Sequence, residues 1–270
     1  MPSTTRFRPI ALITGASSGI GEALTQNFAD YAHDLVLVAR SADKLKALAD
    51  AIEAEHGVKV LVLPADLSVP GAAEQLVATL KRRRKVPDVL VNCAGVLEQK
   101  HFVKMKPAGH QAIIDLNISA LTAMLAHLLP LMVARGSGRV LNVASIAAFQ
   151  PIPLLATYAA SKAYVLSLTE SLSEELKGTG VTITALCPGI TATNMLSVAT
   201  DSNGQLANLP DFLIGDVDDV AQDGFDACMR GDVICVPGVI NRAAMLASRS
   251  TPKWLLRRVS GMLARRSTPG

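Results

Sequence analysis

The chain has 270 residues, half of them hydrophobic and 18% charged, which suits one large folded domain and excludes an intrinsically disordered chain. Its net charge of +3 is small and its basic residues occur throughout, so we expect no nucleic-acid partner. The four cysteines show no C-x-x-C spacing, and the N-terminus lacks the apolar core of a signal peptide. We therefore expect a cytoplasmic protein, and we predict no membrane-spanning helix.

Short β-branched runs alternate along the chain with longer helical patterns. These runs are almost continuously apolar, which is typical of strands buried on both faces of a parallel sheet. We predict seven strands, at residues 10–14, 35–39, 58–63, 88–92, 138–144, 181–186 and 233–237, and helices at 19–30, 43–55, 71–84, about 108–134, and 157–177. The alternation predicts an α/β fold with a doubly wound, Rossmann-type parallel sheet, in a single domain over residues 1–240.

A glycine-rich turn, TGASSGIG, follows the first predicted strand and contains Gly15, Gly19 and Gly21. Glycines remove the Cβ atoms that would keep the backbone away from a pyrophosphate, and the helix that begins there presents free N–H groups and the positive end of its dipole. Ser17 and Ser18 add hydroxyl donors. The position of the turn, between a strand and a helix, predicts a dinucleotide site.

The end of the second predicted strand indicates which dinucleotide binds. A carboxylate there would bond the adenosine ribose hydroxyls and repel a 2′-phosphate, but the strand ends in Ala39 and Arg40. A guanidinium group suits a phosphate, so we predict NADPH/NADP+ as the cofactor. The alternative is that Arg40 is a solvent-exposed residue at a strand end.

Tyr158 and Lys162 lie four residues apart in a predicted helix, so their side chains can share one face. Ser145 follows the fifth predicted strand, at the sheet edge where open α/β folds bind ligands. One hypothesis is that Tyr158 is a general acid and base, that Lys162 lowers the pKa of Tyr158, and that Ser145 donates a hydrogen bond to the substrate oxygen. The alternative is that the Tyr-Lys pair is a chance pattern on a helix surface.

Together these patterns resemble the short-chain dehydrogenase/reductase family from about residue 8 to residue 240. The resemblance rests on TGASSGIG, ADLS at 65–68, NCAG at 92–95, Asn117, Ser145, YAASK at 158–162 and PGITAT at 188–193. It implies a catalytic group of Asn117, Ser145, Tyr158 and Lys162, in which Asn117 holds a water that links Lys162 to solvent. Where the family usually has a second asparagine after Asn92, this chain has Cys93, and one side-chain hydrogen bond is lost with it.

The resemblance also implies a set of residues that hold the cofactor. Asp66 and Leu67 correspond to the pair beside the adenine, and Thr193 to a hydroxyl that touches the phosphates. The full set is Gly15, Ser17, Ser18, Gly19, Ile20, Gly21, Arg40, Asp66, Leu67, Asn92, Ala94, Gly95, Tyr158, Lys162, Pro188, Gly189, Ile190, Thr191 and Thr193. We expect no metal, because the cofactor supplies the chemistry and because His101, His110 and His127 lack metal-ligand spacing.

The substrate pocket is expected between residues 147–155 and a lid at 190–215. The stretch 194–215 is rich in apolar residues and contains no arginine, which favours an apolar carbonyl compound over an anionic one. We expect an NADPH-dependent oxidoreductase that works as a homodimer or homotetramer. A protein that binds the cofactor as a sensor or scaffold, without useful turnover, is the alternative.

The last 30 residues, 241–270, form a basic tail in which residues 253–266 have the pattern of an amphipathic helix. Such a helix can close the domain or contact another subunit, lie on an anionic membrane, or remain disordered. The sequence leaves these three interpretations open.

Overall fold

The computed structural model describes residues 8–191 and 214–251, together with Trp254 and Arg258. Most of the predicted lid, including Thr193, and most of the predicted helix at 253–266 lie outside the described residues. Within them, seven parallel strands form one sheet in the order β3-β2-β1-β4-β5-β6-β7. The strands are β1 (Ile10–Thr14), β2 (Asp34–Val38), β3 (Val60–Val62), β4 (Val89–Asn92), β5 (Gly138–Val143), β6 (Val181–Leu186) and β7 (Ile234–Cys235).

Helices cover both faces of this sheet, which confirms the predicted fold class. They are α1 (Gly19–Asp30), α2 (Ala42–His56), α3 (Ala72–Arg82), α4 (Pro107–Ile114), α5 (Leu121–Arg135), α6 (Ala156–Glu175), α7 (Val217–Arg230) and α8 (Val239–Ser250). Apolar residues of α1, α2 and α7 form the core on one face. Those of α3, α5 and α6 form the core on the other.

The strand order reverses at β1, which pairs with β2 on one side and with β4 on the other. The chain therefore leaves the carboxyl ends of these strands in opposite directions and opens a crevice above the sheet. The carboxyl end of β1 leads into the glycine-rich turn, and that of β5 leads to Ser145. The topology alone places both predicted motifs at one edge.

Two helices differ from the sequence prediction. The predicted helix at about 108–134 is interrupted by a π-helical turn, Asp115–Ala120, which carries the buried Asn117. Helix α7 was not predicted, although Asp216 caps its N-terminus by accepting hydrogen bonds from the N–H groups of Asp218 and Asp219, at 2.8 Å and 3.3 Å. Gly231, in the left-handed conformation, ends the helix.

Among the described residues, one helical stretch, Pro107–Arg135, is long and apolar enough to cross a membrane. The expectation that no such segment exists is therefore wrong on length and composition, since residues 116–134 contain no Asp, Glu, Lys or Arg. In the fold, however, Met124, Leu128 and Met132 are fully buried beside the sheet. The stretch is accounted for as a core helix.

Candidate active site

The glycine-rich turn is shaped by close backbone contacts. Gly15 has a φ of +70°, and a Cβ atom there would lie 2.9 Å from Cα of Ala94. A Cβ atom on Gly21 would overlap the carbonyl of Gly15, so this glycine packs beneath the turn and does not line the cavity above it. The side chain of Ser18, the residue before α1, makes no capping hydrogen bond. The first N–H groups of α1 therefore remain available to an anion.

Thr14, at the end of β1, joins this turn to the loop after β4. Its Oγ1 accepts hydrogen bonds from the N–H groups of Cys93, at 3.0 Å, and of Ala94, at 3.1 Å. Ala94 and Gly95 are thereby held beside Gly15, where both line the cavity. The sequence analysis missed Thr14, although its place before the first glycine of the motif was visible.

A cavity of about 890 Å³ extends across the carboxyl ends of the strands. At one end, which we call the arginine end, it is lined by Arg40, Lys44, Asp66 and Leu67. The Asp66 carboxylate accepts hydrogen bonds from the N–H and the hydroxyl of Ser68, at 3.0 Å and 2.6 Å. These bonds, helped by the positive charge of Arg40, hold the pKa of Asp66 below its usual value. Lys44 was not predicted; its position four residues after Arg40, in the first turn of α2, is the signal that could have found it.

At the other end, which we call the tyrosine end, the cavity is lined by Ser145, Tyr158 and Lys162. Ser145 follows β5, and its Oγ accepts a hydrogen bond of 3.1 Å from the N–H of Ala147. The hydroxyl of Ser145 lies close enough to the phenol of Tyr158 to favour its ionised form. The structure thus brings Ser145 into one wall with Tyr158 and Lys162, which follow it by 13 and 17 residues in sequence.

Burial decides the protonation of the tyrosine end. It raises the pKa of Tyr158, and the neighbouring hydroxyl of Ser145 offsets this only in part. It lowers the pKa of Lys162 to about 8. The Nζ of Lys162 lies 5.7 Å from the centre of the Tyr158 ring and donates a hydrogen bond of 2.8 Å to the carbonyl of Val143. The pKa of Tyr158 is therefore raised and not lowered as expected, because desolvation of the phenolate is the largest effect.

Asn117 does not line the cavity but lies behind its wall, where its side chain is fully hydrogen-bonded. Its Nδ2 donates to the carbonyl of Val96, at 3.0 Å, and to Oγ of Ser161, at 3.1 Å, while its Oδ1 accepts from the N–H of Val96, at 2.9 Å. A Cβ atom on Gly95 would lie 3.3 Å from Oδ1 of Asn117 and 3.6 Å from Nζ of Lys162. Asn117 thus fixes the loop that faces Lys162.

Asn92 also points away from the cavity. Its Nδ2 donates a hydrogen bond of 2.9 Å to Oδ1 of Asn142, and Nδ2 of Asn142 donates one of 2.9 Å to Oγ1 of Thr169. All three side chains are buried, so this chain of hydrogen bonds joins β4, β5 and α6 beneath the site. Of the three residues assigned to the loop that supports the cofactor, Ala94 and Gly95 line the cavity, and the Asn92 side chain holds the strands below them.

The segment after β6 completes the tyrosine end. Pro188, Gly189, Ile190 and Thr191 line the cavity, and the carbonyl of Pro188 accepts a hydrogen bond of 2.9 Å from the N–H of Ile146. Thr191 and Gly215, near the two ends of the predicted lid, form an isolated parallel β-bridge. Thr193 lies outside the described residues.

The remaining wall of the tyrosine end is mainly apolar. Part of it comes from the predicted segment at 147–155, and part from a segment that was not predicted, the loop after β4. Among the lining residues are Val96, Leu97, Leu116, Ile146, Ala147, Ile152, Pro153 and Leu155. In the described residues, no group of three or more His, Cys, Asp and Glu side chains could hold a metal ion.

Comparison with known proteins gives the family. A family model described as short chain dehydrogenase matches residues 9–204. The chain belongs to this family. This membership confirms the resemblance inferred from the motifs. The matched region includes the glycine-rich turn, Ser145, Tyr158 and Lys162.

Individual relatives in the family differ in length. A short chain dehydrogenase of Pseudocercospora fijiensis (strain CIRAD86) is 37% identical over 182 residues, which are 66% of this chain and 58% of the relative. A 3-oxoacyl-[acyl-carrier-protein] reductase of Synechocystis is 35% identical over 189 residues, 69% of this chain and 75% of the relative. The match therefore spans less than two thirds of the first of these relatives.

Among solved structures, a short-chain dehydrogenase from Sphingobium yanoikuyae in complex with NADPH has a TM-score of 0.79 and 32% sequence identity. The alignment covers 90% of this chain and 96% of that one. The shared architecture thus extends over most of both chains.

Proposed function

We propose that the protein is an NADPH-dependent oxidoreductase that reduces the carbonyl group of an apolar substrate, or oxidises the corresponding alcohol. The observation that carries the proposal is the grouping of Tyr158, Ser145 and Lys162 in the wall of a cavity that is also lined by Arg40 and Lys44. One end is suited to proton transfer and the other to an anionic nucleotide.

The residues of the cavity fit NADPH by their chemistry. The uncapped start of α1 and the close approach at Gly15 suit a pyrophosphate, and Arg40 with Lys44 suits a 2′-phosphate. Asp66 and Leu67 border the arginine end, where an adenine base would be held. The relative from Sphingobium yanoikuyae contains NADPH, which supports the same choice here. When bound, a nicotinamide cofactor supplies or accepts the hydride.

Tyr158 is assigned the proton transfer. In reduction its hydroxyl donates a proton to the carbonyl oxygen of the substrate as that oxygen gains negative charge; in oxidation the phenolate takes the proton back. Its raised pKa keeps the hydroxyl protonated at neutral pH, which suits the acid needed for reduction. Ser145 donates a hydrogen bond to the same oxygen.

Lys162 and Asn117 are assigned supporting roles in the proton transfer by Tyr158. With a pKa of about 8, Lys162 is mostly cationic at pH 7, and its charge stabilises the phenolate left after proton donation. Its place beside Gly95 and the segment Pro188–Thr191 also suits a bond to ribose hydroxyls. Asn117 holds the loop that faces Lys162, and we retain the proposal that a water near Asn117 connects the lysine to solvent.

The experiment that tests the function is the loss of NADPH absorbance with a panel of aldehydes, diketones, ketoesters and bulky apolar ketones. We expect turnover with apolar carbonyl compounds, and a kcat lower by about 10²–10⁴-fold in Tyr158→Phe. Tyr164→Phe is the matched control, because Tyr164 lies on the same helix but bonds Thr122 at the surface. Binding of NADPH without turnover of any compound would favour a sensor or scaffold. Equal activity of Tyr158→Phe and the wild type would exclude the assigned role of Tyr158.

A further inference from the structure

Helix α8 presents apolar side chains to solvent near the end of the chain. Val239 is 80% exposed and Ile240 is 52% exposed. The helix is nevertheless fixed to the domain, since Nδ2 of Asn241 donates to the carbonyl of Pro237 and Nε of Arg242 to that of Val236, both at 2.9 Å. Met245 packs against the core. The exposed apolar residues thus belong to a helix that is fixed to the domain, and they are not part of the domain's core.

The charge of this part of the chain is strongly biased. Residues 239–270 contain seven basic residues and no acidic one: Arg242, Arg249, Lys253, Arg257, Arg258, Arg265 and Arg266. Because the whole chain has a net charge of +3 and this segment contributes +7, the rest of the protein has a net charge of −4. The positive charge is therefore concentrated in the part of the sequence that contains the exposed apolar residues of α8.

Trp254 adds an aromatic residue to the same segment. It is 54% exposed, and the guanidinium carbon of Arg258 lies 5.6 Å from the centre of its ring. Tryptophan with an adjacent cation suits the boundary between lipid headgroups and acyl chains, where the ring is half-solvated and the cation meets phosphates.

We propose that helix α8, together with Trp254 and Arg258, belongs to a membrane-binding surface that attaches the protein to an anionic lipid bilayer. Exposed aliphatic residues, one tryptophan and seven basic residues without an acidic one match the two components of interfacial binding, which are apolar insertion and attraction to anionic headgroups. A second copy of the chain is a poorer match, since a two-fold contact of this surface with itself brings like charges together. Nucleic acid would use the cations but not Val239 and Ile240.

The first test uses Trp254 as its own probe, since it is the single tryptophan of the chain. The full-length protein is titrated with vesicles of phosphatidylcholine alone or of phosphatidylcholine with phosphatidylglycerol. We expect the emission to shift to shorter wavelength, and the protein to sediment, only with vesicles that contain phosphatidylglycerol. No shift and no sedimentation with these vesicles at low salt would overturn the proposal.

The second test removes each component separately. Arg257→Gln with Arg258→Gln should weaken binding to the anionic vesicles by about 30-fold, from roughly 1 kcal/mol for each basic residue near the surface. The control, Arg82→Gln with Arg83→Gln, removes the same charge from exposed residues elsewhere and should leave binding unchanged. Val239→Ser with Ile240→Ser should weaken binding at both low and high salt, because apolar insertion is not screened.

Other outcomes identify another partner and reject the lipid. If the Arg257/Arg258 and the Arg82/Arg83 double variants weaken vesicle binding equally, binding depends only on the overall charge of the protein and not on this surface. If Val239→Ser with Ile240→Ser dissociates an oligomer in sedimentation velocity and the wild type binds no vesicles, the surface is a subunit contact. If an RNA oligonucleotide binds and vesicles do not, it is a polyanion site. Catalytic activity is used in none of these measurements, so the proposed function can fail without affecting them.

Discussion

The two ends of the cavity treat charge in opposite ways. At the tyrosine end, burial lowers the pKa of Lys162 to about 8 and raises that of Tyr158. At the arginine end, Arg40 is exposed to solvent, and Asp66 ionises more easily than usual because hydrogen bonds stabilise its charged form. Electrostatic effects are strong where water is excluded and are screened where it is not. Substitutions should therefore have large effects at the first end and moderate ones at the second.

The largest effect in this comparison is expected from Ser145→Ala. This change removes the hydroxyl beside Tyr158, which is the donor proposed for the substrate oxygen, so kcat should fall by about 10²–10³-fold. Ser145→Thr keeps the hydroxyl and should therefore retain most of the activity that the alanine variant loses. Steady-state kinetics with a substrate from the panel measures both. If the alanine variant loses no more than a few-fold, Ser145 only caps the short turn at Ile146–Phe149.

A second prediction concerns Lys162 and stability. Its pKa is about 8 in the folded protein against an ordinary 10.5, so the unfolded chain binds more protons between these values, and the stability contributed by this group rises with pH across that window. Below pH 8 the buried ammonium costs about 3 kcal/mol at most, from 1.36 kcal/mol per pKa unit. Without cofactor, Lys162→Met should therefore unfold at a higher denaturant concentration than the wild type at pH 7.

The pH dependence separates this effect from simple repacking. The advantage of Lys162→Met should shrink as pH rises from 8 to 10.5, because the wild-type lysine then loses its charge. Urea unfolding at pH 7 and pH 9.5 measures the difference. Lys177→Met is the control, since Lys177 is exposed at the surface. A constant difference between Lys162→Met and the wild type at both pH values would contradict the lowered pKa.

At the arginine end, Arg40→Asp should raise the KM for NADPH by about ten-fold and leave that for NADH nearly unchanged. The modest size follows from solvent screening of an exposed charge. Lys44→Ala should have a similar but smaller effect, since it also lines this end. Arg83→Asp makes the same charge change at an exposed helix end and should alter neither KM. Equal losses for both cofactors would show that Arg40 does not discriminate between them.

Much of the fold could be predicted because the strands are buried on both faces, and their apolar runs mark them. β1, β6 and α1 have the predicted bounds. β7 is shorter than its apolar run, because only Ile234 and Cys235 pair with β6. Helix α7 was missed although Asp216 and Gly231 carry cap signals, because the region after β6 was interpreted only as a lid and a tail.

In the candidate site, some features could be predicted from the sequence and others could not. A motif at a strand end gives the edge of the sheet, so the grouping of Ser145, Tyr158 and Lys162 could be foreseen. The direction of a side chain could not: Asn92 turns toward Asn142, which is 50 residues away in sequence. The direction of the Tyr158 pKa was also beyond reach, since it depends on how completely the assembled fold removes water from the phenol.

The smallest effect is expected at Cys93, which lines the cavity between the two ends. Burial raises the pKa of its thiol to about 11, although the charge of Lys162 acts in the opposite direction. Burial thus outweighs a neighbouring cation here, and burial is also the largest effect on the pKa of Tyr158. Cys93→Ser should change kcat by less than about two-fold, because a neutral thiol and a hydroxyl have similar size.

Alkylation of Cys93 tests whether burial is the stronger effect. Since the thiolate is the reactive form, labelling by iodoacetamide, followed at this cysteine by peptide mass analysis, should keep accelerating from pH 8 to pH 10 without a plateau. Urea-unfolded protein should level off near the ordinary pKa of 9.0. A plateau below pH 9 in the folded protein would mean that Lys162 governs the thiol. The tyrosine end would then be controlled by charge, and the contrast with the arginine end would be lost.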